Sequence, residues 1–378
     1  MTQIFYKQVL FLIPRIDAIA TNRFDFFTRI NEYGRELSKQ TNRKISKIYI
    51  VCNTQIPLEL MNYTGAFEFL NIVVVGKNSF RILKYIRATK KLIRDNKMVH
   101  VQLIAGDLYV GNLVSIILAK IVSPRPRKQV SIHGSIFLGK NHLRSLLFEK
   151  FKHQFLKLTL KRFDTIRVVS ESLKLELIHE LDLPEEKFII APIPILMPEH
   201  DRRKKSDLSL VVVGRLHIER NLHEILLILD GVLSLGRLKQ VTFVGSGPLL
   251  SLVENWRKLN ADRCKIAVLG NLSHSKTLSE ISSHQILLSS AISEGYGLTI
   301  RESILEGTHV LARRNSGTIE LSKIFGEAVH LYTTPQEAIL FIQKNIDCLV
   351  NFEVKPLKLV QKSLDQKYLS SLIKSWIN

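Results

Sequence analysis

The chain is predicted to be a two-domain α/β protein, each domain built on a doubly wound parallel sheet. Three observations predict it. Apolar runs of strand length alternate with stretches of helical period from Val9 to Ala312. The 378 residues suffice for two domains, each with its own core. A proline-rich and then polar segment, Pro192 to Ser206, splits the alternation into two series. The expected division is 1–198, a linker 199–207, a second domain 208–360 and a closing helix 361–378.

In the first series Val9–Ile13 (VLFLI) reads as the opening strand, followed by a loop from Pro14 to Asn22 and a helix over Phe24–Lys39. Ile48–Cys52 and Ile72–Val75 read as the next strands. Ser79–Lys97 is an amphipathic basic helix: counting from Lys77, eight Lys/Arg stand against Asp95 alone, with Ile82, Ile86 and Leu92 among its apolar positions. Val99–Ile104 is a strand, Gly111–Val122 a helix, Arg125–Lys128 a turn, and Gln129–His133 a further strand. Asn141–Arg162 is a second basic helix, with Leu143, Leu146, Leu147, Phe151, Phe155 and Leu158 at helical spacing. Thr165–Ser170 and Phe188–Ala191 are strands around a helix over Leu173–Glu180.

The second series opens with Leu208–Val213 (LSLVVV) and continues with strands over Gln240–Val244, Ile266–Gly270, Ile286–Leu288 and Val310–Ala312. Helices are expected over Ser275–Ser282 and from Leu298 to a stop at Glu306-Gly307, glycine being a common helix terminator. In the latter, Leu298, Ile304 and Leu305 are expected to share the buried face. The last helix, Ser363–Asn378, places Leu364, Tyr368, Leu372 and Trp376 on one stripe.

Composition narrows the function. Hydrophobic residues make up 46% and charged residues 23%, which excludes a disordered chain, and no apolar run is long enough to span a bilayer. Met1–Pro14 is expected to be a first strand rather than a signal peptide. The three cysteines, Cys52, Cys264 and Cys348, have no metal-like spacing, which fits a reduced, cytoplasmic compartment. The net charge is +20, and residues 1–200 hold most of it, with 31 Lys/Arg against 17 Asp/Glu. Such a field attracts nucleic acid, an anionic membrane or a phosphorylated substrate. A basic face beside exposed Leu and Phe reads as a membrane-surface element, or equally as a helix packed on its own domain with solvated lysines. The basic helices lack the interleaved aromatics that base stacking needs, so no nucleic-acid partner is expected.

The chemistry-bearing stretch is Ser289–Glu320, SSAISEGYGLTIRESILEGTHVLARRNSGTIE. An apolar strand runs into the loop Ser293-Glu294-Gly295-Tyr296-Gly297, and a helix starts at Leu298. Free N–H groups and a positive dipole end then meet at Gly297 and Leu298, a ready site for a phosphate. Glu294 and Glu302 sit beside that site, where carboxylates accept hydrogen bonds from hydroxyls; sugar and ribose hydroxyls fit. Taken alone the stretch is also compatible with a plain strand-turn-helix unit carrying two solvated glutamates. A second loop, Gly214-Arg215-Leu216-His217-Ile218-Glu219-Arg220-Asn221, follows Val213. There Arg215 can fork onto phosphate oxygens and Arg220 can neutralise a second phosphate, unless both are merely solvated.

The motif SEGYGLTIRESILEGTHVLA, with Glu294 and Glu302 separated by seven residues, resembles the retaining GT-B glycosyltransferases that include glycogen, sucrose and lipopolysaccharide sugar transferases (glycosyl transferases group 1, family 4). Gly214-Arg215-Leu216 and the turn Gly245-Ser246-Gly247-Pro248 resemble the family's next motifs, with Arg220 where the family usually has Lys. His133-Gly134 resembles its first-domain motif, whereas Pro14–Ala18 has no glycine where the family has a glycine-rich turn. The resemblance implies two Rossmann-like domains facing a cleft, with the last helix crossing back to the first. It implies transfer of a hexose-type sugar, with retention, from a nucleotide-diphosphate donor to an acceptor hydroxyl. Glu294 and His133 would then act at the sugar, Glu302 at the ribose, and Arg215, Arg220, Gly297 and Leu298 at the diphosphate, with Gly214 and Gly245 lining the donor site and the latter near the base.

No Asp-x-Asp pair occurs, so no metal and no cofactor beyond the donor substrate is expected. The expected partners are the donor, a glycan or lipid-linked acceptor and an anionic membrane surface, in a protein on the inner face of the plasma membrane that serves bacterial surface polysaccharide or glycolipid synthesis. A nucleotide-sugar epimerase of the same architecture and a non-catalytic membrane- or nucleic-acid-binding protein are the alternatives.

Overall fold

The computed structural model describes residues 9–13, 23–41, 48–52, 68–74, 81–95, 100–104, 127–133, 154, 156–193, 195, 197, 201, 205, 208–351 and 358–377. The chain divides into two compact units: Met1–Pro194 with Leu364–Asn378, and Ile195–Ser363.

Unit 1 contains β1 (Val9–Ile13), α1 (Arg23–Gln40), β2 (Ile48–Cys52), β3 (Leu70–Val74), α2 (Arg81–Asp95), β4 (His100–Ile104), β5 (Arg127–Ile132), β6 (Thr165–Val168), α3 (Glu171–Leu181) and β7 (Phe188–Ile190). The strand order is β3-β2-β1-β4-β5-β6-β7, and every pairing is parallel. Leu10 in β1 is registered with Tyr49 on one side and Val101 on the other. Helix α1 buries Phe27, Ile30, Tyr33 and Leu37, a three- and four-residue spacing that lays one stripe on the sheet. Asn31 fixes its docking: the side-chain oxygen accepts the Phe69 N–H at 3.0 Å, just before β3. Ser170 caps α3, its Oγ accepting the Leu173 N–H at 3.3 Å.

Four expectations fall wholly or mostly outside the described residues: the loop 14–22, the helix 111–122, most of the basic helix 141–162, of which only 154 and 156–162 are described and 154 and 156–160 are helical, and the linker 199–207, of which only 201 and 205 are described. Arg127 and Lys128 were expected in a turn but already belong to β5, registered with His100 and Val101. Pairing with β4 extends the strand through these two cations, an override of local pattern by the neighbouring strand.

Unit 2 contains β8 (Ser209–Val213), α4 (Leu222–Ser234), β9 (Gln240–Val244), α5 (Leu250–Leu259), β10 (Lys265–Val268), α6 (His274–Ser282), β11 (Ile286–Ser289), α7 (Leu298–Leu305), β12 (His309–Arg313), α8 (Ser316–Phe325), β13 (Val329–Tyr332) and α9 (Pro335–Asn351). The sheet order is β10-β9-β8-β11-β12-β13, again parallel throughout. Alternate residues of one strand serve two cores. Leu210 and Val212 join Leu229, Phe243, Trp256 and Ile342 on one face. Val211 joins Leu287, Ile300, Val310 and Leu321 on the other. Helices on both faces explain why these strands read as unbroken apolar runs.

The last helix, α10 (Lys358–Ile377), starts five residues earlier than its apolar stripe suggested. Its end belongs to unit 1, where Leu372, Ile373 and Trp376 are buried. The Trp376 indole donates to Gln129 Oε1 on β5 at 2.9 Å and meets the Tyr33 ring edge-on at 6.0 Å. No helix among the described residues is long and apolar enough to cross a membrane.

Candidate functional site

In unit 2 the chain winds to one side from β8 through β9 and to the other from β11 through β12. The strands diverge in direction of winding at the β8–β11 boundary, and ligands of open parallel sheets bind outside the carboxyl ends of strands at such a point. Two loops meet there. One follows β8 and carries Gly214 to Asn221; the other follows β11 and carries Ser290 to Gly297. The Ile292 N–H donates to the Glu219 carbonyl at 3.2 Å, tying the second loop to the first. A shallow open depression lies there, lined by Gly214, Arg215, Arg220, Ser289 and Ser290 among others.

The backbone near β8 is packed too closely for side chains. Gly214 donates to Val244 O at 2.9 Å, Leu216 donates to Ser246 O at 3.0 Å, and a Cβ on Gly245 would stand 2.0 Å from the Gly214 oxygen. Gly245 also has φ +134°, a conformation that L side chains rarely adopt. The two turns after β8 and β9 are thus packed backbone to backbone.

Glu294 is the centre of the site. Its Oε1 accepts the Gly297 N–H at 3.1 Å, and its Oε2 faces Arg220 Nη1 at 3.4 Å. The carboxylate side chain is 15% exposed and the guanidinium 35%, so neither is the freely solvated group that a surface turn would leave. Gly297 is the N-cap of α7 with φ 70°, and no side chain caps this helix. The Leu298 end of α7 therefore presents first-turn N–H groups with no capping side chain on them. Arg215 stands farther out, 77% exposed, 3.6 Å from Glu219.

Glu302, one turn into α7, is 13% exposed and bonds through Oε1 to His274 Nε2 at 2.9 Å. His274 opens α6 behind the N-cap Ser273, whose Oγ accepts the Lys276 N–H. The expected buried face of α7 is corrected in part. Ile304 and Leu305 are buried, but Leu298 is only half-buried, and Ile300, Arg301 and Ser303 complete the face. Arg301 lies 4.2 Å from the centre of the Tyr296 ring and 5.2 Å from that of Phe325, and its Nε donates to Tyr296 O at 3.1 Å. A buried cation is tolerated here because aromatic faces and a carbonyl replace its water.

Behind the loops lies a second polar layer. Arg313 at the end of β12 bonds Glu224 on α4, and Asn221 Nδ2 donates to the same Glu224 oxygen at 2.9 Å. Tyr332 bonds Ser290, and burial holds its phenol well above the usual range. Asn315 caps α8 in a reciprocal box with Thr318 and donates to Ala291 O at 3.0 Å. Gly317, in the first turn of that helix, passes so close that a Cβ would fall 1.9 Å from the Glu294 oxygen.

The eight candidates on unit 2 therefore fall at one place: Gly214, Arg215, Arg220, Gly245, Glu294, Gly297, Leu298 and Glu302 all lie on or beside loops at the carboxyl ends of its strands. His133 belongs to unit 1, exposed just past the end of β5. Sequence reasoning missed His274, Glu224, Arg313 and Gly317. Only Gly317 carries a readable hint, as a glycine in a polar run after a strand.

Two Rossmann-like units in one chain, the second with polar loops at its switch point, are the fold class of the GT-B glycosyltransferases. Comparison with known proteins finds that fold by structure alone, since no family model and no curated protein matches its sequence. Among solved structures, sucrose-phosphate synthase of Thermosynechococcus elongatus is similar with a TM-score of 0.72 at 13% identity, covering 98% of each chain. Anabaena HepE, solved with UDP and glucose, has a TM-score of 0.68 at 12% identity, covering 97% of this chain and 99% of its own. The lipopolysaccharide outer core galactosyltransferase WaaB has 0.66 at 13%, covering 98% and 99%.

Proposed function

We propose that the protein is a retaining glycosyltransferase that moves a hexose-type sugar from a nucleoside-diphosphate donor to an acceptor hydroxyl. The observation that carries this reading is Glu294, mostly buried at the switch point and held between Arg220 and the Gly297 N–H. A carboxylate fixed by two donors keeps lone pairs for a sugar hydroxyl, while the cation beside it meets the diphosphate. Negative charge grows on the departing diphosphate in the transition state, so cations and N–H groups already in place act where they count most. Arg215, Arg220 and the Leu298 N–H take that role, and Gly214 and Gly245 let the two turns and Arg220 pack closely beside the donor. Glu302 receives the ribose hydroxyls.

No side chain is assigned as nucleophile. The bond from the anomeric carbon to the diphosphate oxygen breaks and the acceptor oxygen bonds to that carbon on the same face. The acceptor proton passes to a leaving phosphate oxygen. With arginines on the diphosphate the reaction is read as metal-independent. The structures of HepE with UDP and glucose support a nucleotide-sugar donor for this fold. The charge of the first 200 residues, together with Arg87, Lys90, Lys91 and Arg94 exposed on α2, supports docking on the anionic inner face of the plasma membrane and a glycan or lipid-linked acceptor there. On this reading the chain serves bacterial surface polysaccharide or glycolipid synthesis.

The test is a panel of UDP-, GDP-, ADP- and dTDP-sugars, scored by thermal shift and donor hydrolysis on wild type and Glu302→Ala. One donor that stabilises the wild type alone, and whose transferred sugar keeps its anomeric configuration by NMR, is the expected result. A folded protein indifferent to every donor rules the reading out. Co-sedimentation with anionic vesicles that fades as salt rises tests the membrane part; equal binding to neutral vesicles contradicts it.

A further inference from the structure

We propose that His274 is a positioning residue for the donor nucleoside, acting by holding Glu302 in one orientation; this rests on the glycosyltransferase reading above. His274 lies 28 residues before Glu302 and starts a different helix, α6. Its Nε2 stands 2.9 Å from Glu302 Oε1, and the two side chains are 18% and 13% exposed. An ionised carboxylate only accepts, so the imidazole donates through Nε2. A glutamate has three side-chain torsions, and a mostly buried one that must receive two vicinal hydroxyls loses affinity for every alternative rotamer it visits.

The anchoring of His274 suits the task. The helix start is fixed by Ser273, whose Oγ accepts the Lys276 N–H, and the Thr277 hydroxyl donates to the Ser273 carbonyl at 3.0 Å. At its other end α6 leads into His284, whose Nδ1 contacts Glu280 O at 2.7 Å and whose Nε2 contacts Thr242 Oγ1 on β9 at 2.9 Å. The imidazole of His274 is thus carried on a helix tied to the sheet at its far end, and it sets the direction of Glu302 from outside α7. On this reading the Oε2 of Glu302 accepts from the ribose.

The ribose contact is made equally in the ground state and the transition state, so its weakening raises KM and leaves kcat nearly alone. The experiment measures donor KM and kcat, and the Kd of the matching nucleoside diphosphate by calorimetry, for wild type, His274→Leu, His274→Gln and Glu302→Ala. His274→Leu is expected to raise KM and Kd roughly tenfold with kcat within about twofold, the size of one lost hydrogen bond to a charged group. His274→Gln, whose amide also donates, recovers most of the loss. Adding His274→Leu to Glu302→Ala causes no further loss. Wild-type affinity in His274→Leu, or a fall in kcat at unchanged KM, overturns the inference while leaving the transferase reading intact. If His274→Leu fails to fold, His274→Gln together with wild-type discrimination between the ribonucleotide and its 2′-deoxy form decides: equal binding of the two forms overturns it. Wild type that binds no donor at all overturns both.

Discussion

Replacing Gly317 by alanine separates the packing of the Glu294 loop from the stability of the fold. The new Cβ would lie 1.9 Å from the Glu294 carbonyl oxygen and 3.2 Å from its Cβ, so reaching the 3.4 Å of ordinary van der Waals contact requires a shift of about 1.5 Å. Two stability effects oppose each other. Overpacking costs about 1–3 kcal/mol, while alanine in the first turn of α8 regains up to about 1 kcal/mol of helix propensity. The net loss is on the order of 1 kcal/mol, a Tm change of roughly 2–4 °C for a protein unit of this size. Function takes the larger loss, because Glu294 holds both the Arg220 contact and the Gly297 N–H, and a misplacement of about 1 Å costs on the order of a hundredfold. The assay is turnover of whichever donor stabilises the wild type, with Tm followed in parallel. Gly236→Ala is the control: φ +71° with no atom within 4 Å of the added Cβ makes it a strain of the chain alone. Both variants are expected to lose Tm by a few degrees, but only Gly317→Ala to lose activity as well, with Gly236→Ala nearly fully active. Gly317→Ala with activity within threefold of wild type refutes the claim that α8 positions Glu294.

Arg220→Met is expected to lower Tm by only a degree or two, since a part-exposed pair at 3.4 Å contributes less than about 1 kcal/mol, yet to weaken binding of the nucleoside diphosphate of whichever donor stabilises the wild type at least tenfold by calorimetry. Trp376→Phe keeps an aromatic edge for Tyr33 but removes the 2.9 Å bond to Gln129, so urea unfolding should show a loss of about 1–2 kcal/mol. His330 is held near a pKa of about 4 by burial and by His309. Its ring sits 4.3 Å from Phe341 and 5.7 Å from His309. The unfolded chain binds this proton at about 6.5 and the folded one only near 4, so the stability it lends is full above about pH 6.5 and falls as pH drops towards 4. His330→Phe should flatten that fall, on the order of 1–2 kcal/mol after allowance for solvent at the half-buried ring, in Tm measured from pH 4 to 7.5.

The fold was legible because parallel strands buried on both faces leave a plain signal. Leu208–Val213, Gln240–Val244 and Ile286–Leu288 could hardly be anything else, and the two series they belong to give the two sheets. The order in which strands lie is not written in such runs; it follows from right-handed crossovers and the burial of both faces. Where a cation entered a strand, as at Arg127 and Lys128, local pattern misled and the neighbour β4 decided. In α7 the expected stripe placed Leu298 inside. The helix instead turns Ile300 and Arg301 to the core, because Tyr296 and Phe325 supply faces for the guanidinium.

The site divides along the same line. The loops after β8 and β11 were readable from their own residues, since a strand end, a glycine and a charged side chain are all local features. The pairings were not. Glu294 finds Arg220 at a separation of 74 residues, Glu302 finds His274 at 28, and Glu224 finds Arg313 at 89. Each joins side chains from loops or helix ends that only the winding of the sheet brings together. Nothing in the sequence beside Glu302 points to α6. On the proposed reading that pairing matters, because an unpaired glutamate at the surface is a weak and mobile acceptor, whereas one fixed by an imidazole is a shaped one. A motif therefore names the acceptor, and the helix that approaches it from outside the motif decides how well the acceptor is aimed.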